Sequence, residues 1–149
     1  MENTALRTVT PNNAKKSIRR AFKKKRPLFL WGPPGIGKSD IVSQITEEYN
    51  NSLLIDIRLS LWDPTDIKGI PYFDPTIGKM VWGAPEELPD EELASQYDTI
   101  VLFLDEMNSA APSVQAAAYQ LILNRRVGKY KLPDNVIIMA AGNREADKG

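Results

Sequence analysis

The stretch Gly32-Pro33-Pro34-Gly35-Ile36-Gly37-Lys38-Ser39 fits the spacing G-x-x-x-x-G-K-[ST] without a gap. Residues of these types at these intervals suit a triphosphate. The glycines let the backbone curl so that successive N–H groups face the phosphates, and a helix start adds positive dipole character. Lys38 would bring a mobile cation to the outer phosphates, and the Ser39 hydroxyl a ligand to Mg²⁺. The contacts expected with nucleotide therefore run from Gly32 to Asp40, the residue after Ser39 in the helix's opening turn. The competing reading is a glycine turn that only joins a strand to a helix.

A second set of polar residues closes an apolar run. Thr99-Ile100-Val101-Leu102-Phe103-Leu104 ends in Asp105-Glu106. In an open parallel sheet ligands gather beyond the carboxyl ends of the strands, where this pair would emerge. Asp105 would hold Mg²⁺ through water beside Ser39, and Glu106 would orient or deprotonate the water that attacks the terminal phosphate. By itself, Asp-Glu after a strand is commonly an exposed turn. Downstream of a phosphate loop the functional reading is favoured. Asn143 also follows an apolar run, and two readings stay open for it. Its amide would bond the attacking water and the phosphate, or it is a turn asparagine after Gly142.

These residues need elements to carry them. Leu28-Phe29-Leu30-Trp31 reads as a strand before the phosphate loop, and Ile41, Val42, Ile45 and Tyr49 as one face of the helix after it. A first helix over about 13–25 is stopped by Pro27. Leu53–Ile57 reads as a buried strand and Asn135–Ala140 as a fourth. Pro112 suits the first turn of a helix whose apolar face is Val114, Ala118, Leu121 and Ile122. Residues 60–98 are less regular and hold Pro64, Pro71, Pro75, Pro85 and Pro89. Within them Pro71–Phe73 and Lys79–Trp82 flank a turn and read as a hairpin, its aromatics expected to pack on the parent domain rather than meet a partner. Strands alternating with helices predict an α/β fold, a mostly parallel sheet between helical layers.

Composition narrows the chemistry. The chain has 149 residues, 42% hydrophobic and 26% charged, enough for one domain with a single core. It contains no cysteine and no histidine, which removes thiol nucleophiles, disulfides, zinc ligation and imidazole acid–base work. A metal here would be held by oxygen, as Mg²⁺ is. No apolar run is long enough to cross a bilayer and no signal-peptide pattern opens the chain, so a cytoplasmic setting is expected. Net charge is zero, yet charge is segregated. Lys15, Lys16, Arg19, Arg20, Lys23, Lys24, Lys25 and Arg26 crowd residues 15–26, and Glu86, Glu87, Asp90, Glu91 and Glu92 crowd residues 86–92. Ala14, Ile18, Ala21 and Phe22 form one apolar stripe, which favours a helix docked on the core over a nucleic-acid patch. Contact with an acidic segment of a neighbouring subunit is a third reading.

At these segments the sequence resembles the AAA+ ATPases, and within them the MoxR-like branch. Gly32–Ser39 resembles the Walker A motif, Leu102–Glu106 the Walker B motif, and Asn143 the sensor 1 position. Asp105-Glu106-Met107-Asn108-Ser109-Ala110-Ala111-Pro112-Ser113-Val114-Gln115-Ala116-Ala117 resembles that branch's D-E-I-N-R-A-x-P-x-V-Q-x-A run, and Asp63–Gly69 its segment after the second strand. The resemblance covers about residue 13 onward. It implies a P-loop three-layer core, residues 27–149, preceded by the basic helix within 1–26. It places the Asn143 strand between the phosphate-loop strand and the Asp105 strand, which gathers Lys38, Glu106 and Asn143 at one phosphate. It departs at Ser109, where the branch has arginine. The family's fifth strand, arginine finger and lid lie beyond sensor 1, so the core is expected to be incomplete at its C-terminus with the phosphate-loop strand on an open edge. Arg125, Arg126 and Arg144 do not match the finger's place.

The expected function is binding of Mg–ATP and slow hydrolysis of its terminal phosphate, in remodelling or assembly of a protein partner. A ring of identical chains is the expected assembly of a full-length form, with no membrane partner. The alternatives are a nucleotide-holding interaction module and a nucleic-acid-associated P-loop motor. ATP rather than GTP rests on the resemblance alone.

Overall fold

A strand with a long unbroken apolar run must be covered on both faces, as the two inner strands of this sheet are. The computed structural model describes residues 11–31, 37–63, 67, 70–83 and 87–142. Its central sheet is parallel, in the order β1-β8-β5-β2: β1 Leu28–Trp31, β8 Val136–Gly142, β5 Thr99–Asp105 and β2 Ser52–Arg58. Along β5, Ile100, Leu102 and Leu104 enter one core while Val101 and Phe103 enter the other. In β8 the split is Val136, Ile138 and Ala140 against Ile137, Met139 and Ala141. The unbroken runs read in the sequence thus reflect a period of two with helices on each side. The Asn143 strand does lie between the other two, as the resemblance implied. Among the described residues β1 pairs only with β8, which leaves it on an edge.

One face is covered by α1, Pro11–Lys24, and α2, Lys38–Glu47. Ala14, Ile18, Ala21 and Phe22 are all buried there, so the basic helix is a docked one. Its charge serves the docking at one point. The Arg19 guanidinium grips Glu48 with Nε–Oε1 at 3.1 Å and Nη2–Oε2 at 2.8 Å, and holds the Glu48 carboxyl below its ordinary range. Beside this pair the Phe22 and Tyr49 rings stack with centroids 4.1 Å apart.

The other face is covered by α4, Pro112–Asn124, with Val114, Ala118, Leu121 and Ile122 buried as its periodicity predicts. Below it lie two elements the sequence did not suggest. A short helix α3, Glu91–Ala94, is capped by the Asp90 carboxylate accepting from Leu93 N at 2.8 Å, so part of the acidic run is a helix start. The second is an antiparallel ribbon of β6, Arg126–Val127, and β7, Tyr130–Lys131. Tyr130 is buried and donates to the Pro89 carbonyl at 2.5 Å, and Asn135 Nδ2 donates to Ala94 and Tyr97 carbonyls at 2.9 Å each. Burial pushes the Tyr130 hydroxyl well above its ordinary range.

The hairpin read at 71–82 forms as β3, Ile70–Asp74, and β4, Lys79–Gly83, antiparallel. The expectation that its aromatics pack on the parent domain fails at Phe73, which is 57% exposed across from Met80 at 63%. A two-stranded ribbon has no second layer of its own, and this end of it receives none. No described helix is long and apolar enough to cross a membrane.

Candidate nucleotide site

Parallel strands that end together put their next residues in one place. The register pairs Trp31 with Gly142 and Arg58 with Asp105, while Leu104 lies opposite Ala140. The carboxyl ends of all four strands therefore form a single rim. Gly37 is the N-cap of α2 in the left-handed region, φ 75°, with no side-chain cap. Only glycine takes that conformation cheaply. The first-turn N–H groups of α2 consequently have no side chain covering them from the cap position.

Ser39, in that first turn, is carried onto the rim. Its Oγ donates to Asp105 Oδ2 at 3.1 Å across 66 residues of sequence. Asp56, from the outer strand β2, joins them. Partial burial and the neighbouring Asp105 charge raise its carboxyl above the ordinary range, while Arg58 and a hydrogen bond from Ser39 oppose the shift. Two carboxylates that repel each other around one hydroxyl make a negative well suited to a hard cation. The 3.1 Å approach leaves the Ser39 hydroxyl and the Asp105 carboxylate close enough that both would serve one Mg²⁺, directly or through its water. Among the described residues no group of three or more acidic, cysteine or histidine side chains forms a metal cage. Such a cation would keep most of its shell for phosphate oxygens and water, as Mg²⁺ does.

Glu106 departs from the regular backbone. It sits at φ 54°, ψ 40°, a conformation costing a non-glycine residue roughly 1–2 kcal/mol. Its N–H donates to Asp105 Oδ1 at 2.8 Å, which helps hold the turn. The carboxylate faces β2. Ser60 Oγ donates to Oε2 in a short hydrogen bond, and Arg58 Nε lies 3.7 Å from Oε1. Ser60, Arg58 and Asp56 were missed in the sequence. The available signal was polar residues at alternate positions as an apolar strand reaches its carboxyl end.

The segment after Glu106 is braced by backbone acceptors. Gln115 Nε2 donates to the Ala110 carbonyl at 2.9 Å and lies 3.4 Å from that of Asn108, tying α4 to the turn at Met107–Ser109. Asn108 also packs on Gly142. A Cβ there would sit 2.7 Å from Asn108 Oδ1 and 3.0 Å from Trp31 Cζ3. Gly142→Ala is expected to destabilise the fold by about 1–3 kcal/mol through overpacking, read as a lower denaturant midpoint with unchanged slope.

The structure thus brings Lys38, Ser39 and Asp40 at the start of α2 to the rim that carries Asp105 and Glu106. Gly32, Pro33, Pro34, Gly35, Ile36 and Asn143 lie outside the described residues. So do Pro64–Asp66, Lys68 and Gly69 of the segment after β2.

This sandwich, with a helix starting over the end of an edge strand and an acidic strand end facing it, is a P-loop nucleotide-binding core. Residues 28–148 match AAA, the ATPase family associated with various cellular activities, and the chain belongs to that family. Nucleotide binding and ATP hydrolysis are its general activities. Over 126 residues, 83% of the chain, it is 30% identical to Midasin of Giardia intestinalis, of which it spans 2%. Two solved structures share the fold. A candidate ATPase from Cytophaga hutchinsonii gives a TM-score of 0.52 at 17% identity, over 89% of this chain and 38% of that one. NtrX from Brucella abortus gives 0.53 at 16% identity, over 95% and 32%.

Proposed function

We propose that the chain binds Mg–ATP at the rim and hydrolyses its terminal phosphate, as the nucleotide core of a MoxR-like AAA+ ATPase. The observation that carries this is the 3.1 Å approach of Ser39 to Asp105, with Glu106 next in the chain. Ser39 and Asp105 would hold Mg²⁺, which neutralises charge developing on the phosphates. Gly32–Gly37 and the open turn of α2 would cradle the phosphates, Lys38 would bind the outer ones, and Asp40 would lie at the edge of that contact. Asn143 would align the attacking water beside Glu106. The MoxR-like reading is supported by the run from Asp105 to Ala117, in which Asn108 and Gln115 have structural tasks. Remodelling or assembly of protein partners in a ring follows from the same reading.

Phosphate release from ATP is expected to depend on Mg²⁺, which would neutralise charge developing on the phosphates, and to be abolished by EDTA. Failure to bind ATP with Mg²⁺ present would end the proposal.

Glu106 is held on the β2 side, away from the strand that leads into the phosphate loop. A carboxylate already accepting from Ser60 is aimed at the wrong group to act on the attacking water. Ser60→Ala is expected to raise basal turnover several-fold at unchanged nucleotide affinity, checked by steady-state kinetics alongside equilibrium binding. Lower turnover would mean instead that Ser60 holds the productive orientation.

A further inference from the structure

The two charged segments lie on opposite faces of the sheet. α1 packs in the core with Val101 and Phe103, whereas Leu88 and Ala94, on either side of the acidic residues, pack in the core with Leu102 and Leu104. Both segments lead into the amino ends of strands, α1 into β1 and α3 into β5. They are thus far from Ser39 and Asp105, which sit at the carboxyl ends.

Most of this charge has no ion-pair partner among the described residues. Arg19 is taken by Glu48, but among the described residues no ion pair involves Arg20, Lys24, Arg26, Glu87, Glu91 or Glu92, and all six are exposed. The basic side is also shaped. A cavity of about 230 Å³ is lined by Ser17, Arg20, Lys24 and Arg26 together with Ala21, Pro27 and Leu28. A lining of three cations mixed with apolar residues suits carboxylate-tipped side chains carried on a short segment with apolar residues beside them. Glu87-Leu88-Pro89-Asp90-Glu91-Glu92-Leu93 has that composition.

We infer that the basic face of α1 docks on the acidic segment 87–92 of a second copy of this chain. Because the two surfaces differ and lie on opposite faces, the contact is heterologous and leaves one unpaired surface at each end of a pair. It therefore repeats, into a ring or a filament. A polyanion such as duplex DNA fits the observations less well. The net charge of zero gives little long-range attraction to it. The contact is remote from the nucleotide site, so it can fail while the ATPase reading stands, and the reverse.

The test is solution mass by light scattering in low and high salt, about 50 mM and about 0.5 M, with two charge-reversed chains. The wild-type chain should exceed its monomer mass of 16.7 kDa in low salt and return to it in high salt. Arg20→Glu with Lys24→Glu, and separately Glu91→Lys with Glu92→Lys, should each stay monomeric, since both of their faces then carry one sign. Mixed in equal amounts they should assemble again, because each offers the face the other lacks. All four positions are exposed, so the core is untouched, and a thermal melt of each variant checks this. Assembly of either variant alone, or a mixture of two folded variants that remains monomeric, overturns the inference. So does salt-sensitive binding of duplex DNA lost with Arg20→Glu and Lys24→Glu while self-association persists.

Discussion

Glu106→Gln is expected to lower ATP turnover by about 10²–10⁴ while leaving nucleotide affinity within a few-fold of the wild-type chain. The amide keeps the shape of the carboxylate and still accepts from Ser60, so the turn after β5 is preserved. What it loses is a group able to take a proton from water. Asp105 and Ser39, which carry the metal in the proposed site, are not altered, and binding should report that. Phosphate release in a single turnover, measured beside fluorescence of a labelled nucleotide, separates the two quantities. Turnover that survives would remove only the role given to Glu106. The comparison is clean because the left-handed backbone at this residue costs glutamate and glutamine about the same.

Lys38→Ala is expected to act earlier, on binding itself. A charge-assisted contact to phosphate contributes roughly 1.5–3 kcal/mol, so affinity should fall about 10–100-fold. Lys38 opens α2, and alanine is the better helix former, so the fold should not suffer. A thermal melt of the variant would confirm that loss of binding is not loss of structure. Unchanged affinity would defeat the placement of the nucleotide, and with it the metal and water roles assigned to the same rim.

The local pattern carried much of this. Each strand of the central sheet reads directly from an apolar run, because a parallel strand buried on both faces tolerates few polar residues. The stripe Ala14, Ile18, Ala21 and Phe22 identified a docked helix despite eight nearby cations, since spacing and not charge decides which face is buried. The glycine at 37 was legible too, as its left-handed backbone is a property of one residue.

What eluded the sequence depends on contacts between distant segments. Ser60 and Arg58 meet Glu106 across 46 and 48 residues, through the pairing of β2 with β5 that no local pattern states. Asp56 lies within the run read as a buried strand, and its place beside Asp105 exists only once the two strands are in register. The exposure of Phe73 and the capping of α3 by Asp90 likewise depend on which neighbours arrive.

By itself the amino-acid order determined the strands of the central sheet, the three longer helices and the motif spacing on which the proposed site rests, because periodicity and motif spacing are short-range properties of one chain segment. The tertiary structure alone decided that Glu106 is held toward β2, that Ser39 meets Asp105, and that the two charged segments lie on opposite faces. Those are relations set by strand order and register, and they arise only when residues far apart in the chain are packed together.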